Sequence, residues 1–351
     1  MRPLTVLSVA YPLAPVRPDT AGGAEQVLLA LDRALVARGH RSIVIAMEGS
    51  QIAGTLIATP SVSTLLDERR RARARVAHAE AIERACREYV VDLVHMHGID
   101  FYTYLPRAVV PVLVSLHLPL GWYRPDALRP SRPFTWLHCV SRAQGRTAPA
   151  GISFLPAIEN GVDVDAFVRP RRKSRFALFL GRICPEKGVH LAMDAAERAR
   201  VPLAIAGEVF PYSEHEEYFT REIEPRLGRA CRFLGRVGPH AKRRLLAAAH
   251  CVLIPSLVAE TSSLVAREAL AAGTPVIGFA QGALPDVVSH GRTGFLAEGV
   301  DDMAAHIVET ERIDADECRA EARRRFPLDA MIAGYVRHYR TLTQLPLGVA
   351  G

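Results

Sequence analysis

The chain has 351 residues, 49% of them hydrophobic, and a formal net charge of +7. That length favours two domains, and the apolar fraction is enough for two cores. No run of about 18 apolar residues occurs, so no membrane-spanning helix is expected; no aromatic residues interleave with the basic ones, which speaks against nucleic-acid binding.

The N-terminal run Leu4-Thr5-Val6-Leu7-Ser8-Val9-Ala10 is apolar enough to pass for a signal peptide. It is short, and Pro12, Pro15 and Pro18 follow at once, so it reads as a first buried strand. The first half then alternates, with strands expected at 5–9, 42–47, 93–97, 112–116 and 136–140 and helices at 24–38 and 76–89. Gly39 and His40 close the first helix as a C-cap. The densest charge lies in Asp67-Glu68-Arg69-Arg70-Arg71-Ala72-Arg73-Ala74-Arg75. It reads as a solvated helix face or, more sharply, as a patch for a membrane surface or an anionic acceptor.

His95 and His97 alternate onto one side of their strand. His97, beside Gly98 at the strand end, is a candidate for a ligand contact, and His95 is expected in the core. A zinc site on the pair needs a third ligand at sensible spacing, and none is visible. His117 stands at the end of the next strand, where it is either a loop histidine satisfied by backbone or a site residue. Trp122, Tyr123 and Phe134 either stack on a sugar or pack a proline-rich loop. The six cysteines have no paired spacing, which points to reduced, buried thiols in a cytosolic protein and to no metal.

A basic, proline-marked linker at 168–173 opens a second alternating set, with strands expected at 176–180, 203–206, 232–234, 251–254 and 275–278. Two Rossmann-like, doubly wound α/β domains with a cleft between them follow, divided near 165, with ligands beyond the carboxyl ends of the strands. Phe326 to Leu342 reads as an amphipathic terminal helix.

Three segments carry chemistry. In Gly181-Arg182-Ile183-Cys184-Pro185-Glu186-Lys187-Gly188, a glycine turn leads from a strand into a helix. Arg182 offers a planar fork for phosphate oxygens and Lys187 a point charge, unless both are ordinary surface cations. Gly22 and Gly23 open a helix and permit close approach of a ligand to backbone, or serve only as a permissive N-cap. Neither the P-loop nor the Gly-x-Gly-x-x-Gly dinucleotide pattern is present. In the third segment Glu260 and Glu268 have seven residues between them, across a strand end and a helix start. The amides of Ser262, Ser263 and Leu264 are expected to cap an anionic group there. Two carboxylates flanking an anion site suit a nucleotide sugar.

This third segment resembles the Glu-x7-Glu signature of the retaining GT-B glycosyltransferases, family four. The likeness is strengthened by Ala272-Gly273-Thr274-Pro275-Val276-Ile277 behind it, and by Gly282, Pro285 and the turn from Gly291 to Leu296. It implies a metal-independent hexosyl transfer from a nucleotide diphosphate sugar, UDP being the commonest donor nucleotide, with no cofactor required. The acceptor is a glycan or small molecule, lipid-linked glycans included. Localisation is cytoplasmic, with peripheral contact at the inner membrane face left open.

By the same resemblance Arg182 and Lys187 grip the donor diphosphate, Glu260 and His117 position the sugar, and Glu268 holds the ribose. Gly22 and Gly23 face the donor phosphate, Arg236 and the backbone of Val237 meet the base, and Asn160-Gly161-Val162-Asp163 forms an inter-domain turn. The terminal helix, 329–351, crosses back onto the 1–165 domain, leaving 166–328 to bind the nucleotide sugar. The chain departs from the family where Thr261-Ser262-Ser263 replaces Gly-Phe-Gly, which brings extra hydroxyls to the donor sugar. A nucleotide-sugar epimerase or hydrolase, and a degenerate transferase acting as a binding subunit, are the rival readings.

Overall fold

A computed structural model describes residues 2–61, 67–167 and 173–346. Positions 168–172 of the basic linker lie outside these. The chain divides into two compact units, Met1–Ile158 with Ile332–Gly351, and Glu159–Met331.

In the first unit the elements run β1 (Thr5–Val9), α1 (Gly23–Ala37), β2 (Arg41–Met47), β3 (Thr55–Thr59), α2 (Glu68–Glu88), β4 (Leu93–Met96), β5 (Val112–Leu116), β6 (Thr135–Cys139) and α3 (Arg142–Gly145). The sheet order is β3-β2-β1-β4-β5-β6, and every pairing is parallel. Alternation along the strands feeds two layers. Leu7, Ile43, Ile45, Val94, Met96, Val112 and Val114 pack with Ala81, Ile82 and Ala85 of α2. Val44 and Ala46 point the other way, to Leu28 and Leu29 of α1. Helix α1 ends in a Schellman motif, with Gly39 N–H donating to Val36 C=O (3.0 Å) and His40 N–H to Leu35 C=O (2.9 Å).

The second unit repeats the scheme: β7 (Ala177–Arg182), α4 (Val189–Arg198), β8 (Leu203–Glu208), α5 (Ser213–Tyr218), β9 (Cys231–Gly235), α6 (Pro239–Ala248), β10 (Cys251–Ile254), α7 (Leu264–Ala271), β11 (Val276–Phe279), α8 (Leu284–Val287), β12 (Gly294–Ala297), α9 (Val300–Glu309) and α10 (Ala315–Arg325). Its order is β12-β11-β10-β7-β8-β9, again all parallel. Phe179, Ile205, Leu253 and Ile277 face α4 and α9. Leu178, Ala206, Val252 and Val276 face α7 and α10. The last helix, α11 (Leu328–Gln344), has its tyrosines among the first unit's residues: Tyr339 Oη lies 2.8 Å from His95 Nδ1 and Tyr335 Oη 3.2 Å from Ser115 Oγ.

Each sheet has one strand more than expected. Strand β3 is a short edge strand, and β12 begins inside the stretch read as a turn, at Gly294, three residues after Gly291 at φ 76°. Helix α2 starts eight residues earlier than its apolar period suggests, at the arginine run, because Asp67 accepts from Arg70 N–H and caps it. Arg75 pairs with Glu68 and Asp100, so part of that run is spent inside the unit. No helix among the described residues is long and apolar enough to cross a membrane.

Candidate active site

In the second unit β7 and β10 are adjacent, and the chain leaves them in opposite directions across the sheet. Such a switch point opens a crevice at the carboxyl ends of the strands. Two loops meet there. The first runs from Gly181 through the turn Pro185–Lys187 to Gly188, and the second from Pro255 to Ser263. Leu257 N–H donates to Glu186 C=O across 2.8 Å. Gly188 has φ 62°, and a Cβ there would sit 2.2 Å from the Pro255 carbonyl oxygen. Only glycine supplies both the left-handed backbone and the close approach.

The two loops carry Lys187 and Glu260, whose Nζ and Oε1 are 2.6 Å apart. Ser256 Oγ donates to the same carboxylate oxygen. Burial pushes the Glu260 carboxyl up, but the Lys187 charge, the hydrogen bonds from Lys187 and Ser256, and Arg182 outweigh it and hold the group below the ordinary glutamate range. Its main chain is seated by Gly282 at φ 59°, where a Cβ would meet Glu260 O at 2.3 Å and Glu260 N at 2.5 Å. Ala283 N–H donates to Glu260 C=O at 2.7 Å. Arg182, at the end of β7, has no carboxylate in salt-bridge contact among the described residues; its guanidinium lies 5.9 Å from the centre of the Phe210 ring. Two cations and an ionised carboxylate thus converge in a polar crevice. This arrangement can hold an anion and a hydroxylated group side by side.

The helix after Glu260 begins later than expected. Helix α7 starts at Leu264, with Ser263 as N-cap at φ 52°. The amides with no intrahelical partner are therefore those of Ser263, Leu264, Val265 and Ala266, since the first intrahelical bond is from Arg267 N–H to Ser263 C=O. Glu268 sits about one turn in and pairs with Lys242 of α6 at 2.6 Å. Ser262 and Ser263 are buried, Ser262 at 3% exposure with its hydroxyl unpartnered. Their side chains form part of the wall, and Thr261 is the half-exposed member of the trio. Arg236 is exposed on the loop after β9, 4.0 Å from Glu208, and Val237 leans on the core.

Arg267, within the glutamate motif, is 1% exposed and ties the segment down. It donates to Ser262 C=O (3.0 Å), to Asn160 C=O, and to the Glu159 carboxylate (2.7 Å). Val162 in turn exchanges backbone hydrogen bonds with Phe326 and Leu328, at 2.9 and 3.0 Å. The Asn160-Gly161-Val162-Asp163 segment is thus structural within this unit.

The corresponding place in the first unit lies between β1 and β4. Gly22 caps α1 with no side-chain cap, and the Glu25 carboxylate folds back onto it, 1.8 Å from where a Cβ would be. That acid occupies the dipole's positive end. His117 follows β5, and its Nε2 lies 3.0 Å from His97 Nδ1, the rings stacked at 5.2 Å. His97 itself is 3% exposed, and its other ring nitrogen, Nε2, is buried with no hydrogen-bond partner. His95 is fully buried, bonded to Ser115 and Tyr339 at 2.8 Å each. The aromatic pair divides: Tyr123 is core at 5% exposure, with its hydroxyl accepting from Leu118 N–H, and Trp122 is 41% exposed.

Lys242, Arg267 and Ser256 escape a reading of the sequence. Lys242 is separated from Glu268 by a whole strand and loop, and nothing local marks Arg267 as buried. Ser256, four residues before Glu260, has a faint signal in its spacing alone.

Comparison with known proteins adds the family. Residues 21–166 match the model for "Glycosyltransferase Family 4", and residues 164–325 that for "Glycosyl transferases group 1". The chain is 35% identical over 153 residues to glycogen synthase of Mycobacterium tuberculosis, an alignment covering 41% of this chain and 36% of that protein. It thus matches about a third of that relative's length. Among solved structures it is similar to AviGT4, a glycosyltransferase of avilamycin A biosynthesis, with 27% identity, 97% and 98% of the two chains covered and a TM-score of 0.71. The Anabaena protein HepE, solved with UDP and glucose, shares the fold at 18% identity, covering 97% and 100% at a TM-score of 0.76.

Proposed function

Since the chain belongs to the family-four, group 1 glycosyltransferases, we propose that it moves a hexose from a UDP-sugar to a hydroxyl of a glycan, lipid-linked glycan or natural-product acceptor, with retention of the α configuration. The single observation that carries the reading is the Lys187–Glu260 pair, 2.6 Å apart at the switch point of the second sheet.

Transfer breaks the bond between the sugar's anomeric carbon and the diphosphate oxygen, and charge develops on that oxygen. Arg182, Lys187 and the first amides of α7 are the groups that stabilise it. Because these groups supply the positive charge, no metal ion is assigned to the step. The acceptor attacks on the face the leaving group departs from, and the departing phosphate oxygen takes the acceptor's proton. Glu260, kept ionised, accepts from sugar hydroxyls and stabilises the oxocarbenium-like transition state. Glu268 holds the ribose hydroxyls, with Lys242 fixing its rotamer. Arg236 and Val237 are assigned to the base. From the first unit His117 is assigned to the sugar and Trp122 to the acceptor. HepE, with UDP and glucose bound, supports the choice of nucleotide.

The test is thermal stabilisation and donor turnover with UDP-, GDP-, ADP- and dTDP-sugars, with and without EDTA. A ligand that binds only the folded state raises Tm. A rise with UDP-sugars that survives EDTA, with transfer to an added acceptor, is expected. No rise with any nucleotide sugar overturns the donor site, and turnover unaffected by acceptor replaces transfer with hydrolysis.

A further inference from the structure

The first loop of the second unit and the neighbouring α5 carry three side chains that the proposed transfer does not use. Cys184 and Glu186 belong to the turn after β7, and His215 to α5. A sulfur, a carboxylate oxygen and a ring nitrogen from them all lie within 4.8 Å of one another. Cys184 is fully buried and His215 nearly so. Glu186 Oε2 and His215 Nδ1 are buried with no hydrogen-bond partner. Buried polar atoms are ordinarily satisfied, so two orphans on neighbouring side chains of one cluster require an account.

Thiolate, imidazole and carboxylate are the donor types that hold zinc. We propose that Cys184, Glu186 and His215 bind one Zn2+, leaving a fourth position for water or a small ligand. A thiolate ligand selects against Mg2+ and Ca2+, which take oxygen donors. Binding replaces the S–H bond with an S–Zn bond and releases that proton to solvent. One thiolate and one carboxylate neutralise the dication, so the filled site is neutral; with Zn2+ in and one proton out, it is one unit more positive than the empty site. The metal joins the turn that carries Lys187 to α5 and so braces that turn. Cys184 and His215 are too far apart in sequence to form a zinc motif, and the cluster appears only once β7 and α5 are folded together.

The experiment uses the full chain stripped with EDTA and then freed of it, titrated with Co2+ and afterwards with Zn2+. The expected result is one equivalent bound with a thiolate-to-cobalt charge-transfer band, displacement by Zn2+, release of a proton and a rise in Tm. Cys184→Ser removes the band, His215→Ala weakens binding at least about tenfold, and Cys231→Ser changes neither. Circular dichroism checks each variant's fold, and His215→Ala carries the test if Cys184→Ser does not fold. No band in the unaltered chain overturns the proposal. So does a band that persists undiminished in His215→Ala, which marks an adventitious ion. None of these readouts depends on sugar transfer.

Discussion

In both units the first and fourth strands lie side by side at a switch point, and the sheet orders are the same when each is counted in its own chain order. In Glu159–Met331 the strand ends are furnished with ions: Lys187 with Glu260, Lys242 with Glu268, Arg267 with Glu159. In the other unit they are furnished with neutral hydrogen-bonding rings: His95, His97, His117 and His138, with Ser115, Tyr335 and Tyr339. One frame thus serves two chemistries. Charges held by counter-charges suit a multivalent anion, and groups kept neutral by burial suit uncharged hydrogen-bonding partners.

Acid is the harshest way to break this comparison. Burial drives His117 and His138 down to about 3, and His78 on α2 down to about 4. The unfolded chain takes up protons on these side chains below about pH 6.5, and the folded one refuses them. Stability is therefore full above that pH and declines as pH falls toward 3 to 4, by roughly 2 kcal/mol per histidine between about pH 7.5 and 5. Glu260, depressed by its partners, keeps its contribution until lower pH. Hydrogen exchange across this range is expected to loosen the β4–β6 region before β7–β10. Simultaneous loosening would remove the contrast.

Arg267→Ala strips the charged unit of its buried tie and is expected to cost about 3 kcal/mol in urea unfolding. A loss under about 1 kcal/mol would mean that the ties to Glu159 and Asn160 are not structural. Lys187→Ala should lower turnover more than about tenfold, a charge-assisted contact to developing charge being worth on the order of 2–3 kcal/mol; unchanged steady-state kinetics would remove Lys187 from the step. Glu268→Gln should raise the donor KM roughly fivefold and leave kcat alone, the mark of an interaction made equally in ground and transition states. A fall in kcat instead would assign it to the chemistry. The smallest effect belongs to Trp122→Ala. Stability should stay within about 0.5 kcal/mol, because the ring is largely exposed, and only the acceptor KM should move.

The strand skeleton was legible because buried parallel strands are short apolar runs. Strands β3 and β12 were not, one being a half-polar edge and the other opening within a glycine turn. Two Rossmann-like α/β folds followed from the alternation of strand and helix segments, and the family from the glutamate motif and its neighbours. The site was legible residue by residue but not pair by pair. Nothing near Lys187 in the sequence says that its counter-ion is Glu260, since β8, β9 and β10 intervene. Burial was harder still. His97 and His117 look alike on a pleated strand, and only the layer packed behind the sheet decides which is covered. Thr261-Ser262-Ser263 replaces Gly-Phe-Gly and is expected to bring hydroxyls to the sugar, but Ser262 and Ser263 are buried and Thr261 is the more exposed member of the trio.

Gly282 contributes no side chain to any chemistry, yet its α-carbon rests against the main chain of Glu260. Any heavier residue there must push that glutamate's peptide aside or abandon the left-handed turn. In a saturation screen for activity, codon 282 should therefore be as intolerant as codon 260. Second-site suppressors of a Gly282 variant should arise in the Pro255–Ser263 loop, where the displaced backbone has room to be re-seated.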